Sequence, residues 1–105
     1  MTFDLQKHLV SGETHVAAGY TMREPSKRVM CADGFSVSIQ GGKFAYCSPR
    51  NWDGPYVKVE LGFPSVSDEL ISEYAESAER PTDTVYGYVP VTVVEALLDK
   101  HGGVV

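Results

Sequence analysis

The stretch from Phe35 to Phe63 constrains the fold more than any other part of the chain. Phe35, Val37 and Ile39 alternate with Ser36, Ser38 and Gln40. Phe44 and Tyr46 alternate with Ala45 and Cys47, and Val57, Val59, Leu61 and Phe63 alternate with Lys58 and Glu60. An apolar residue at every second position gives a strand one dry face and one wet face. Three such runs in succession predict a three-strand antiparallel meander. Gly41-Gly42 separates the first two runs, and a glycine pair supplies the positive φ angles of a two-residue hairpin turn. Pairing Gln40 with Lys43 sets Ile39 opposite Phe44, Val37 opposite Tyr46 and Phe35 opposite Ser48, so the apolar residues share a face. Ser48 to Pro55 is a turn-rich connection, and Pro64 ends the third strand.

The flanking segments supply the remaining layers. Arg28 to Ala32 reads as a strand. Asp33-Gly34 either turns a hairpin into Phe35–Ile39 or forms a bulge within one long strand. The bulge is preferred, because Phe35–Gln40 already has a partner beyond its other end. Ser65 to Arg80 reads as an amphipathic helix. Ser67 is its N-cap, Asp68 and Glu69 lie in its first turn, and Leu70, Ile71, Tyr74, Ala75 and Ala78 form its apolar stripe. Glu76 is spaced to pair with Arg80. Thr84 to Val89 is a further strand. Pro90 opens a last helix in which Val91, Val94, Leu97, Leu98 and His101 recur at steps of three and four, with Gly102 as its stop. Residues 1–27 form an irregular N-terminal segment with a short strand at His15–Tyr20. The whole, residues 1–105, is a single α+β domain with its core in 28–105. A small antiparallel sheet, the meander plus one or two further strands, is packed on one face by two helices. The wet face carries Ser36, Ser38, Gln40, Lys43, Cys47, Lys58 and Glu60. It is either solvated or covered by a partner or by the N-terminal segment.

Charge narrows the partners. Among 105 residues, 14 are acidic and 9 basic, a net charge of −5. That argues against direct nucleic-acid binding, which calls for a basic stripe, and suits a partner that is itself basic. The N-terminal residues lack the basic-then-apolar order of a signal peptide, and no apolar run approaches the ~20 residues of a membrane span. With only two cysteines, free thiols in an intracellular setting are expected, without membrane contact.

No catalytic residue and no metal ligand set is assigned. HxH, HExxH and CxxC spacings are lacking, so neither metal nor cofactor is expected, and His101 reads as a helix-end residue suited to the dipole. Gly41-Gly42-Lys43 lacks the spacing of a phosphate loop. Cys47 reads as a half-buried strand residue, since a nucleophile needs a base within reach. An enzyme or small-molecule site would have to use Cys47 with Arg50. A Cys31–Cys47 disulfide would require another strand pairing.

Two surfaces remain for binding. One is the loop Pro49–Pro55, with Arg50 and Trp52, residue types favoured at interfaces. Trp52 equally suits a role as a cap folded back on the core. The other is the acidic side of the 68–79 helix. There Glu69, Glu73 and Glu76 imitate a run of phosphates, or else form an ordinary solvated face.

Several stretches carry a family likeness: Cys31 to Gln40, Tyr46 to Arg50, Gly54 to Tyr56, Val59 to Ser65, and Thr84 to Pro90 through His101-Gly102-Gly103. Over roughly the C-terminal two-thirds, the chain resembles a group of small uncharacterised proteins encoded by tailed phages and prophages. The resemblance implies a setting, the bacterial cytoplasm, and a phage accessory protein that works by protein–protein binding. The implied partner is a host protein or protein–nucleic-acid complex, and the implied action is inhibition of a CRISPR-type or nuclease defence complex. The alternative is a homo-oligomeric assembly protein, a homodimer paired through the polar sheet face or a sheet edge.

Overall fold

In the computed structural model, which describes residues 3–105, the first element is a short helix, α1 (Leu5–Leu9). Asp4 caps it by accepting the Lys7 amide at 3.1 Å. Leu5 and Leu9 are four residues apart, so they share a face, and both are buried. A hairpin follows, β1 (Thr14–Ala17) with β2 (Tyr20–Arg23). Ala18 and Gly19, at φ 53° and 83°, make its turn. The strand expected at His15–Tyr20 is therefore two strands, broken inside that span.

The main sheet has four antiparallel strands in sequence order: β3 (Val29–Met30), β4 (Ser36–Gln40), β5 (Lys58–Gly62) and β6 (Val85–Pro90). Asp33-Gly34 turns a hairpin and is not a bulge. Val29 lies opposite Val37 and Met30 opposite Ser36, and the Cys31 amide closes the loop onto the Phe35 carbonyl at 2.8 Å. A strand has two edges, so a partner on one side of β4 leaves the other open to β3.

The meander departs from expectation at its middle strand. β4 pairs directly with β5, Ile39 opposite Leu61 and Gln40 opposite Glu60. Phe44 to Cys47 forms turns, with the Ala45 amide bonded to the Gly42 carbonyl and the Cys47 amide to that of Ala45. The glycine pair is used for close packing instead of a hairpin. A Cβ on Gly41 would lie 2.9 Å from the Tyr56 ring, and one on Gly42 would lie 2.7 Å from the Trp52 ring. Both aromatics need bare backbone beneath them.

The Ser65–Arg80 helix is likewise replaced by irregular chain with one 3₁₀ turn, Ser72–Tyr74. Asp68 accepts the Leu70 amide and the Ser72 hydroxyl bonds the Glu69 carbonyl, local bonds that compete with helical ones. Ile71 alone of the expected stripe is fully buried, too little to hold a four-turn helix. Ala75 bridges to Tyr86 and the Glu76 amide reaches the Val85 carbonyl, so the segment lies along the edge of β6. Arg80 pairs with Asp83 rather than Glu76.

The last helix forms as expected, α2 (Val91–Lys100), with Gly102 at φ 90° past its end. Its Val94, Leu97 and Leu98 join Val37, Ile39, Val59, Leu61 and Val89 of the sheet in one core. The second helix of the α+β domain is α1, whose Leu5 and Leu9 enter the same cluster. The wet face is partly covered by the segment before β3. Gln40 exchanges two bonds with the Ser26 backbone, and the Arg28 guanidinium bonds Ser36 and the Phe63 carbonyl. Both outer edges of the sheet meet other chain. The Val105 amide bonds Met30 at β3, and the Tyr46 carbonyl takes the Tyr88 amide at β6. Among the described residues, no helix is long and apolar enough to cross a membrane.

Gly41→Ala should destabilise the protein by about 1–3 kcal/mol through overpacking against Tyr56. Lys43→Ala, at an exposed neighbour, should change it by no more than about 0.5 kcal/mol. Urea unfolding of the two variants checks this.

Candidate functional site

The loop from Gly41 to Tyr56 has no ladder of its own and is pinned by side chains and by two single backbone bridges, Ser48 to Lys58 and Tyr46 to Tyr88. Tyr56 is the anchor. Its ring is buried, and its hydroxyl donates to the Asn51 carbonyl at 2.7 Å. Its backbone is bonded in both directions to Gln6 of α1, amide to Oε1 at 2.9 Å and carbonyl from Nε2 at 2.7 Å. Asn51 Oδ1 in turn accepts the Asp53 and Gly54 amides. Cys47, expected on the wet face, is buried inside this loop. Its thiol donates to the Gly42 carbonyl at 3.2 Å, and its sulfur takes the Gly42 amide at 3.4 Å. All its hydrogen-bond partners are backbone groups, so the geometry gives it no general base. Cys31 is also buried, burial pushes its thiol up, and neither cysteine is in a disulfide.

Outside this pinned frame stands an aromatic surface. Phe44, Tyr46 and Tyr88 are 74%, 43% and 44% exposed. Arg50 bonds the Ala45 carbonyl through Nε and sets its guanidinium 5.5 Å from the Tyr46 ring centre. The Tyr46 and Tyr88 rings are 6.1 Å apart. Tyr88 reaches this place through a bulge. Val59 pairs with Val89 and Leu61 with Tyr86, so Gly87 and Tyr88 together face Glu60, and Tyr88 takes φ 55°. A positive φ at a bulky residue is costly and turns its side chain away from the sheet's alternation.

Trp52 folds back on the chain, as one of its two expected roles required, and keeps part of its ring at the surface. Its ring sits half-buried on Gly42, and it also forms one wall of a groove of about 390 Å³ between this loop and the β1–β2 hairpin. Phe44 meets it edge-on at 5.8 Å, and the Arg23 guanidinium lies 5.5 Å from its centre. Its Nε1 is buried without a hydrogen-bond partner among the described residues. Arg50 thus meets Tyr46 and Trp52 meets Phe44, all four within the one loop. The sequence did not single out Phe44, Tyr46, Tyr88 or Arg23, because strand alternation assigned the first two to the core.

Glu69, Glu73 and Glu76 are exposed, Glu73 in the single 3₁₀ turn and the other two on irregular chain. Without the helix they share no face, and the spacing that would imitate a run of phosphates is lost. Glu69 borders a shallow hollow of about 310 Å³ beside Ser72 and Tyr86.

A polar cluster that sequence spacing could not reveal lies at the end of α2. His101 Nδ1 is 2.7 Å from Asp33, its Nε2 is 2.9 Å from Asp68, and its ring stacks on Phe35 at 4.0 Å. Lys100 adds a contact to Asp68 at 3.1 Å. The imidazole thus ties together the β3–β4 loop, the irregular 65–75 segment and α2. Burial alone pushes the imidazole down, but the two carboxylates outweigh it and hold His101 above its ordinary value. Burial likewise pushes Asp68 up, and the Leu70 amide, His101 and Lys100 overcome it, holding it low. The Phe35 amide, then His101, hold Asp33 low. No nucleophile or open position accompanies this cluster, and both imidazole nitrogens are occupied. Among the described residues, no group of three or more His, Cys, Asp or Glu side chains is arranged to hold a metal.

Comparison with protein-family models, with curated proteins and with solved structures found no match to this chain.

Both thiols should react with Ellman's reagent only as fast as the protein opens, and stoichiometrically once urea unfolds it. Fast labelling of Cys47 in the native state would contradict its placement. The His101 cluster sets a pH dependence. A raised imidazole contributes fully below its ordinary 6.5 and loses that contribution as pH rises through the folded value. The lowered carboxylates contribute above 3.8 and lose it as pH falls through theirs. His8 works in the opposite sense. Burial pushes it down, so its contribution is lost as pH falls below 6.5. His8 is common to wild type and His101→Gln, so it cancels in their difference. The stability gap between the two should be widest near about pH 5.5 and shrink toward about pH 9 in urea titrations. A gap independent of pH would refute the ionic clasp.

Proposed function

We propose that this chain works by binding another protein, through the aromatic surface formed by Phe44, Tyr46, Arg50, Trp52 and Tyr88. The observation that carries this reading is two exposed rings, Phe44 and Tyr46, and an arginine on a loop that buried Tyr56 holds fixed, with a third exposed ring, Tyr88 of β6, beside Tyr46. Aromatic residues and arginine dominate interface hot spots, because they bury large area with few rotatable bonds. A loop already held in place loses little conformational entropy on docking. Scattered apolar side chains are ordinary on a surface, but adjacent rings touching one another are not.

The resemblance to tailed-phage proteins supports the setting, a phage or prophage accessory protein in the bacterial cytoplasm. Its partner is then a host protein or protein–nucleic-acid complex, and occlusion of a CRISPR-type or nuclease defence complex is the corresponding action. The net charge of −5 favours contact with protein over contact with the nucleic acid itself. A homodimer joined edge to edge is disfavoured, because chain segments already lie along both edges of the main sheet.

Affinity capture from host lysate tests the reading. Phe44→Ser combined with Arg50→Glu changes two exposed side chains and should reduce recovery of the partner by about tenfold or more. Reversing Glu69, Glu73 and Glu76 to lysine should leave recovery within about threefold. The opposite pattern would move the interface to the acidic segment.

A further inference from the structure

The groove beside Trp52 has a chemistry of its own. The indole, Phe44 and Met22 give it apolar walls, and Glu24 and Glu60 line it together with His15 and Arg23. At about 390 Å³ it is sized for one or two side chains and not for a folded surface. Glu60 uses Oε1 to accept the Tyr46 amide at 3.0 Å, and its second oxygen has no partner among the described residues. Glu24 meets only His15 in this region, at 3.3 Å. Aromatic faces carry partial negative charge and attract cations, and carboxylates do the same more strongly. The chain already places one cation here, the Arg23 guanidinium 5.5 Å from the indole centre. Against that one guanidinium, an anion entering the groove would meet two carboxylates and the negative faces of two rings.

We propose that this groove receives an arginine or lysine side chain from a basic segment of the partner protein. This rests on the protein-binding reading and adds the chemistry of the partner to it. The charge balance agrees. A chain of net charge −5 draws a basic segment toward it by long-range attraction, and the groove then selects the cationic side chain at contact. The inserted side chain would lay its methylene stem along Met22 and Phe44 and bring its charged head to Glu60 and Glu24. The exposed rings of Phe44 and Tyr46 would flank the same segment, so groove and aromatic surface would act as one interface.

The chain holds a single tryptophan, Trp52, which makes the groove self-reporting by fluorescence. The probe is acetylated hexa-arginine, titrated at low salt, with hexaglutamate and a short oligothymidylate as controls. Hexa-arginine should change the indole emission saturably, and the controls should not. Glu24→Gln with Glu60→Gln should weaken binding by about fivefold or more, since a cation would lose both carboxylates. Glu69→Gln with Glu73→Gln removes the same charge elsewhere and should leave affinity within about twofold. Glutamine at position 60 keeps an oxygen for the Tyr46 amide. The single Glu60→Gln replaces the pair if the double variant unfolds at a lower temperature. The proposal is overturned by no saturable response, by equal weakening in both double variants, or by tighter binding of either control. Partner capture that survives Glu24→Gln/Glu60→Gln but is lost in Phe44→Ser/Arg50→Glu would overturn it too. That last result would leave the protein-binding reading standing.

Discussion

The seating of two aromatic rings on Gly41-Gly42 is the contact on which the rest of this structure depends. Tyr56 and Trp52 each approach backbone that has no Cβ to offer, at distances a side chain would forbid. Once Tyr56 is seated, its hydroxyl fixes Asn51 and its backbone fixes Gln6, which brings α1 and its Leu5 and Leu9 onto the core. Once Trp52 is seated, its other contacts, Phe44 and Arg23, define the groove. One dipeptide therefore links the first helix, the long loop and the distal hairpin. The loop has no strand ladder to hold it, so its order comes from side chains bonded to backbone and from single backbone bridges, Ser48 to Lys58 and Tyr46 to Tyr88. That arrangement leaves the outward rings free for contact.

Much of the fold was legible because it rests on periodicity. Val37, Ile39, Val59 and Leu61 announced a one-faced sheet, and Val94, Leu97 and Leu98 announced its helix. The misreadings share one cause, local patterns overruled by nonlocal partners. Phe44 and Tyr46 alternate as strand residues do, but β4 takes β5 as its partner on that side. The 65–80 segment has a helical stripe, yet Ser72 and Asp68 bond their own backbone, and its later residues pair with β6. Gly-Gly is a hairpin signal, but it is also the residue pair that close ring packing needs. No single-sequence pattern distinguishes those uses. Of the candidate site, Arg50 and Trp52 were legible, and each is set against an aromatic ring, whereas Glu69, Glu73 and Glu76 have no helix to align them.

The two polar features of the molecule divide the work. The Asp33–His101–Asp68 clasp joins segments distant in sequence, from half-exposed Asp33 to buried Asp68, and secures the end of α2. The aromatic loop points outward and carries the residues suited to recognition. Tyr88 connects the two halves of this picture. Its bulge interrupts a core strand, at the cost of a positive φ, and brings a tyrosine beside Tyr46. Strain of this kind persists where neighbouring contacts fix it, and here the Tyr46 carbonyl holds the Tyr88 amide at 2.9 Å. Stability is thus spent to assemble an exposed surface, which accords with a binding role and has no evident use in packing.

The central claim is that the loop from Gly42 to Tyr56, although irregular, is fixed in advance of any contact. Backbone ¹⁵N relaxation on the isolated protein tests it directly. Amides of this loop should show order parameters of about 0.85, matching those of β4 and β5. Values below about 0.6 across residues 43–53 would describe a flexible loop that orders only on binding, and would contradict the account.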